Sequence, residues 1–151
     1  MGKKGRLLVK ESYDLGRVTG RFGGSMQMTA IVISEPDSTQ KMKGLRIEVT
    51  EGGGTERSNA SFVDMDELES LSQGIAYMMK AANDWAGPGH QPYTELIYTS
   101  KGELEIGFYQ KGKEALAFCR SGSMRSAFIP IAEMARVKSA VDQGLALLKT
   151  K

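Results

Sequence analysis

One block of strand and helix pattern occurs twice in this chain, and it limits the fold more than any other feature. Phe62-Val63 aligns with Phe128-Ile129. Without a gap, Met65 then aligns with Ile131, Glu67 with Glu133, Leu68 with Met134, Leu71 with Val137 and Ile75 with Val141. Upstream, Leu45-Arg46-Ile47-Glu48-Val49 parallels Leu104-Glu105-Ile106-Gly107-Phe108 at a slightly different offset. Such self-similarity indicates one supersecondary unit used twice. Two unrelated amphipathic helices would also match at apolar positions, so the repeat rests on strand and helix matching together.

Alternation and turn residues delimit the elements. A short strand is predicted at residues 6–10, followed by a glycine-rich connection that ends Gly20-Arg21-Phe22-Gly23-Gly24. Residues 26–34 form a β-branched run, and residues 45–50 alternate strictly, as a strand with one buried face does. Gly52-Gly53-Gly54 is a hairpin turn, and residues 56–63 return as a strand. Asp64 has the place of a helix N-cap, with Glu67 at the capping-box position. Met65, Leu68, Leu71, Ile75, Met78 and Ala82 make one apolar stripe. The second half repeats this plan in four short strands between residues 93 and 129. Pro130 then stands where a first helical residue is welcome, and Ile131, Met134, Val137, Val141, Leu145 and Leu148 form the second stripe. The expected fold is α+β, a tandem duplication of an antiparallel sheet followed by an amphipathic helix (ββββα twice). It forms one domain over residues 1–151, with halves at 1–87 and 93–151 and a linker at 88–92.

A chain of 151 residues buries about 70% of its unfolded surface, enough for stability without staples. With 40% hydrophobic and 25% charged residues, the composition is that of a folded chain rather than a disordered one. Cys119 is the only cysteine, so no intramolecular disulfide is available and a reducing compartment is expected. Leu7-Leu8-Val9 is too short for a signal-peptide apolar region, and Arg6 occupies a place where myristoylation wants Ser or Thr. Apolar runs such as residues 30–33 are far below membrane-span length. A cytoplasmic location with no membrane partner is the expectation. The net charge of +2 is too small to imply a polyanion by itself. A basic arm (Lys3, Lys4, Arg6, Lys10, Arg17, Arg21) precedes an acidic stretch between residues 35 and 69, and the second half turns basic again.

Few residues offer chemistry. His90, the single histidine, falls in a Gly-Pro loop and reads as an exposed linker residue. Cys119 lies mid-strand beside Phe118 and reads as a small core residue. One Cys and one His cannot build the usual zinc sites, so neither a metal nor any other cofactor is expected. Asp64, Asp66 and Glu67 are explained by capping and the helix dipole. Gly52-Gly53-Gly54 leads into a strand, whereas a phosphate loop needs a following helix. Arg21 and Phe22 among glycines have the texture of a nucleic-acid-binding loop, or of an ordinary connection.

The run Gly44-Leu45-Arg46-Ile47-Glu48-Val49, the glycine turn, and Arg57-Ser58-Asn59-Ala60-Ser61-Phe62 leading into Asp64 resemble the second half of a PUR repeat. In architecture, the tandem strand–strand–strand–strand–helix unit resembles the PUR-repeat and Whirly group of single-stranded nucleic-acid-binding proteins. The resemblance covers most of the chain as architecture and about twenty residues as sequence. It implies a curved sheet that presents basic and aromatic residues to unstacked bases, with helices on the other face or at a dimer contact. On that basis the expected function is non-enzymatic binding of single-stranded DNA or RNA by Arg46, Arg57, Tyr98, Tyr109, Lys111, Arg120 and Arg125. Glu103 and Glu105 oppose phosphate on one of the strands concerned. The alternative is a homo-oligomeric protein-interaction or scaffold protein with no nucleic-acid role.

Overall fold

A computed structural model of the chain describes residues 5–53, 57–87 and 90–151, with the backbone alone at His90 and Gln91. Lys3 and Lys4 of the basic arm, Gly54, Glu56, and Pro88 and Gly89 of the expected linker lie outside the described residues, as does the side chain of His90. The order is β1 (Val9–Thr19), β2 (Ser25–Ser34), β3 (Lys41–Thr50), β4 (Ser58–Asp64), α1 (Met65–Ala86), β5 (His90–Thr99), β6 (Leu104–Gly112), β7 (Glu114–Ser121), β8 (Ala127–Ile129) and α2 (Met134–Lys149). Strands β1 to β4 form one antiparallel sheet and β5 to β8 a second, each in chain order. The architecture is therefore α+β, ββββα twice.

Alternation sorts each sheet into two faces. Leu45, Ile47 and Val49 are fully buried while Arg46 and Glu48 between them face outward, and Leu104, Ile106 and Phe108 repeat the pattern in β6. Each such side chain contributes about 1.5–3 kcal/mol of burial.

Four local expectations are corrected. The connection expected after residue 10 is instead the body of β1, which pairs with β2 along its length. A bulge at Gly16 (φ 110°) absorbs the irregularity, and the Asp14 carboxylate accepts from the Gly16 N–H at 2.9 Å and from Gln27 at 2.7 Å. Ladder bonds to a long neighbour thus outweigh the poor strand propensity of glycine. Asp64 does cap α1 through the Asp66 N–H at 3.2 Å, but Glu67 does not complete a capping box. Its carboxylate accepts the Lys101 N–H at 3.0 Å, tying the helix start to the β5–β6 turn. Pro130 precedes a short 3-10 turn at residues 131–133, so α2 begins only at Met134. Strand β5 already opens at His90, inside the segment read as a linker.

Helix packing crosses between the two halves. Helix α2, which follows the second sheet, lies on β1, β2 and β3 of the first, where Gly144 sits against Leu45 and Leu15. Lys43 and Lys41 donate to the last carbonyls, Leu148 O and Lys151 O, at 3.3 and 2.9 Å. Helix α1 reaches β5 and β6 as well as β3 and β4: Gly74 faces Tyr98, and Trp85 packs on Phe108 with centroids 5.7 Å apart. The result is one apolar cluster drawn from both halves.

The turns interlock in the same reciprocal way. A β-carbon on Gly20, in the β1–β2 turn, would fall 2.3 Å from the carbonyl oxygen of Phe128, and one on Gly102, in the β5–β6 turn, 2.5 Å from that of Phe62. Phe62 and Phe128 are the residues the repeat aligns, so each half seats its first turn on the last strand of the other.

Candidate nucleic-acid interface

The outward face of the second sheet includes three cross-strand rows. Glu95, Tyr109 and Leu116 form one, Ile97, Gly107, Phe118 and Phe128 the next, and Thr99, Glu105 and Arg120 the third. Tyr93 extends the face along β5, and its ring stacks on Tyr109 with centroids 5.5 Å apart and planes at 25°. Gly107 leaves room on this face: a β-carbon there would lie 2.3 Å from the Leu96 carbonyl oxygen and 2.8 Å from Cζ of Phe118, whose ring takes the space. Gly44 under Phe62 is the same device in the first sheet. A groove of about 530 Å³ runs over Tyr93, Ile97, Tyr109, Phe118, Arg120 and Phe128. A second groove, about 430 Å³, shares Ser126 and Phe128 with it and continues to Arg21, Phe22, Glu51 and Arg125.

The acidic side chains of this face are engaged locally. Nη2 of Arg120 donates to both oxygens of Glu105 at 2.5 and 2.8 Å. Its Nε is buried without a hydrogen-bond partner among the described residues. The Tyr93 hydroxyl donates to Glu95 at 2.6 Å and the Tyr109 hydroxyl to Glu114 at 3.3 Å. The bond to Glu95, then burial, pushes the Tyr93 phenol up to about 12. Burial first and the Glu114 charge next raise Tyr109, with the positive charge of Arg21 partly offsetting them. Both rings are therefore neutral planar surfaces at physiological pH.

Of the residues read from the sequence, Tyr109, Lys111 and Arg120 are on this outward face. Arg125 stands exposed in the β7–β8 connection at the rim, its N–H donating to Glu51 at 2.7 Å. Arg57 is exposed just before β4, and its carbonyl accepts from the Glu51 N–H at 2.8 Å. Arg46 is on the outward face of the other sheet, paired with Glu48 at 3.2 Å. Tyr98 points the opposite way, to α1, where its hydroxyl bonds Ser70 at 2.8 Å. Sequence reasoning passed over Tyr93, Phe118 and Phe128. The signal for Tyr93 was available: Tyr93, Glu95 and Ile97 alternate out of phase with Leu96 and Tyr98.

Among the described residues no group of three His, Cys, Asp or Glu side chains is placed to hold a metal ion. Among them too, no helix is long and apolar enough to cross a membrane. Comparison of the chain with family models, curated proteins and solved structures finds no match to any of them.

Proposed function

We propose that this protein is a non-enzymatic binder of single-stranded nucleic acid, and that the strand lies on the outward face of the second sheet. The observation that carries the reading is the stacked Tyr93–Tyr109 pair in a groove that also holds Arg120, Phe118 and Phe128. Aromatic faces accept any base, each stack being worth about 1–3 kcal/mol, and arginine supplies both phosphate contact and cation–π surface. The PUR-repeat and Whirly resemblance points the same way. Fluorescence anisotropy with labelled single-stranded and duplex oligonucleotides, at low and near-physiological salt, tests it. Preference for single strands, weakening with salt and with Tyr109→Ala or Arg120→Ala, is the expected result. An absence of binding even at low salt would sink the reading.

A self-associating interaction protein is the second reading, and edge strand β5 favours it. Ile97 and Tyr93 there are 48% and 50% exposed, a surface suited to pairing with a second strand edge. Sedimentation across a concentration series separates the two readings.

A further inference from the structure

We propose that Phe22 is a stacking finger that holds one nucleobase of a bound single strand in the groove between itself and Phe128. The inference rests on the sheet-face reading above and adds a second subsite to it. Phe22 has φ 57° and ψ 29° and is 75% exposed. A bulky side chain in the left-handed region is strained, and burial does not compensate it here.

The surrounding turn is built to hold that conformation. Gly20 N–H donates to Gly24 O at 2.7 Å, Gly24 N–H to Arg21 O at 2.9 Å, and Gly53 N–H to Phe22 O at 2.7 Å. A β-carbon on Gly52 would fall 2.7 Å from Phe22 O and 2.8 Å from Arg21 O, so the floor of the turn has no room for a larger residue. The other half has a turn of the same design: Ser100 N–H donates to Leu104 O at 2.9 Å and Gly122 N–H to Glu103 O at 3.0 Å, with Glu103 at φ 65°. That turn carries Lys101-Gly102-Glu103, without an aromatic residue. The backbone device is common to both halves, and the exposed ring belongs to the first alone.

The groove beside Phe22 has a volume of about 430 Å³, with Arg21 and Arg125 along it and Phe128 in common with the sheet-face groove. An occupant with a flat apolar ring and an attached anion matches this combination: the ring stacks on phenylalanine and the phosphates meet the two guanidinium groups. Continuity through Ser126 and Phe128 makes the next nucleotide of the sheet-bound strand that occupant.

The test uses the whole chain and single-stranded oligonucleotides of roughly a dozen nucleotides, each carrying one 2-aminopurine at a successive position. Wild type is expected to give a fluorescence response at one position unlike its neighbours. Phe22→Ala should abolish that response and weaken binding about tenfold, the loss of one base–aromatic stack. Phe22→Gly should do the same while raising Tm, because glycine relieves the left-handed strain. Tyr109→Ala should weaken binding yet keep the position-specific response at saturation. If both Phe22 variants bind and respond as wild type does, the finger is overturned and the sheet face stands. If wild type binds no single strand at low salt, both ideas fall together.

Discussion

Arg120 of β7 grips both carboxylate oxygens of Glu105 on β6, at 2.5 and 2.8 Å, across the outward face of the second sheet. The two side chains are 39% and 25% exposed, a setting in which such a pair is worth about 0–1 kcal/mol. A phosphate arriving at Arg120 must compete with Glu105 for the same guanidinium.

Glu105→Gln is therefore expected to tighten binding of single-stranded oligothymidylate, by about three- to tenfold at low salt, and to steepen its salt dependence by roughly one counterion. Arg120→Ala should weaken binding about equally for all base compositions. Anisotropy titrations at several salt concentrations check both, and a weaker Glu105→Gln complex would argue against phosphate at this position.

The reciprocal turns predict a contrast between two glycines. Gly102→Ala forces a β-carbon to within 2.5 Å of the Phe62 carbonyl oxygen, so a loss of about 1–3 kcal/mol is expected from overpacking. Gly144→Ala meets side-chain tips instead, Leu45 at 2.6 Å and Leu15 at 2.9 Å. There the helix-propensity gain of about 1 kcal/mol offsets the crowding. Urea unfolding should separate the two variants clearly, and equal midpoints would count against the interlock.

Helices α1 and α2 are joined by Ser72, whose hydroxyl donates to Asp142 at 2.5 Å, while Lys138 donates to the same carboxylate at 2.8 Å. The Lys138 bond first and the Ser72 bond next hold the Asp142 carboxyl below its usual range. A carboxyl with a depressed folded pKa adds stability that is complete above its unfolded value, about 3.9, and is lost as pH falls through the folded value. Ser72→Ala should raise the Asp142 pKa in an NMR titration and make stability less sensitive to pH below about 4. With the side chain 45% exposed, the stability effect is small. An unmoved Asp142 titration would show that the helix–helix bond is not made in solution.

Cys119 is fully buried, and burial pushes its thiol up to about 12. Alkylation in native buffer at mildly alkaline pH should therefore be slower than that of a free thiol by about a thousandfold or more, and should rise with urea in step with the unfolded population. Rapid labelling of the native protein would contradict the buried placement.

Much of this molecule was legible from residue order because the forces concerned are local. Strict alternation in Leu45 to Val49 and Leu104 to Phe108 marks strands with one buried face, and the stripes from Met65 and Ile131 mark helices. Asp64 announces a helix start through a side chain that reaches two residues onward. Three features could not be read this way. Strand β1 runs to Thr19 because β2 offers it a continuous ladder, and Glu67 abandons the capping box because Lys101 of the other half arrives beside it. Helix α2 crosses to the first sheet and α1 spans both because one shared core forms only when all apolar stripes meet. The site follows the same division. Periodicity tells which residues of β5, β6 and β7 share a face, but the joining of Phe22, Arg125 and Phe128 along one groove depends on Gly20 docking over a hundred residues away. Local chemistry determines which elements a chain makes; contacts between distant segments, each needing the others in place, decide which surfaces those elements bring together.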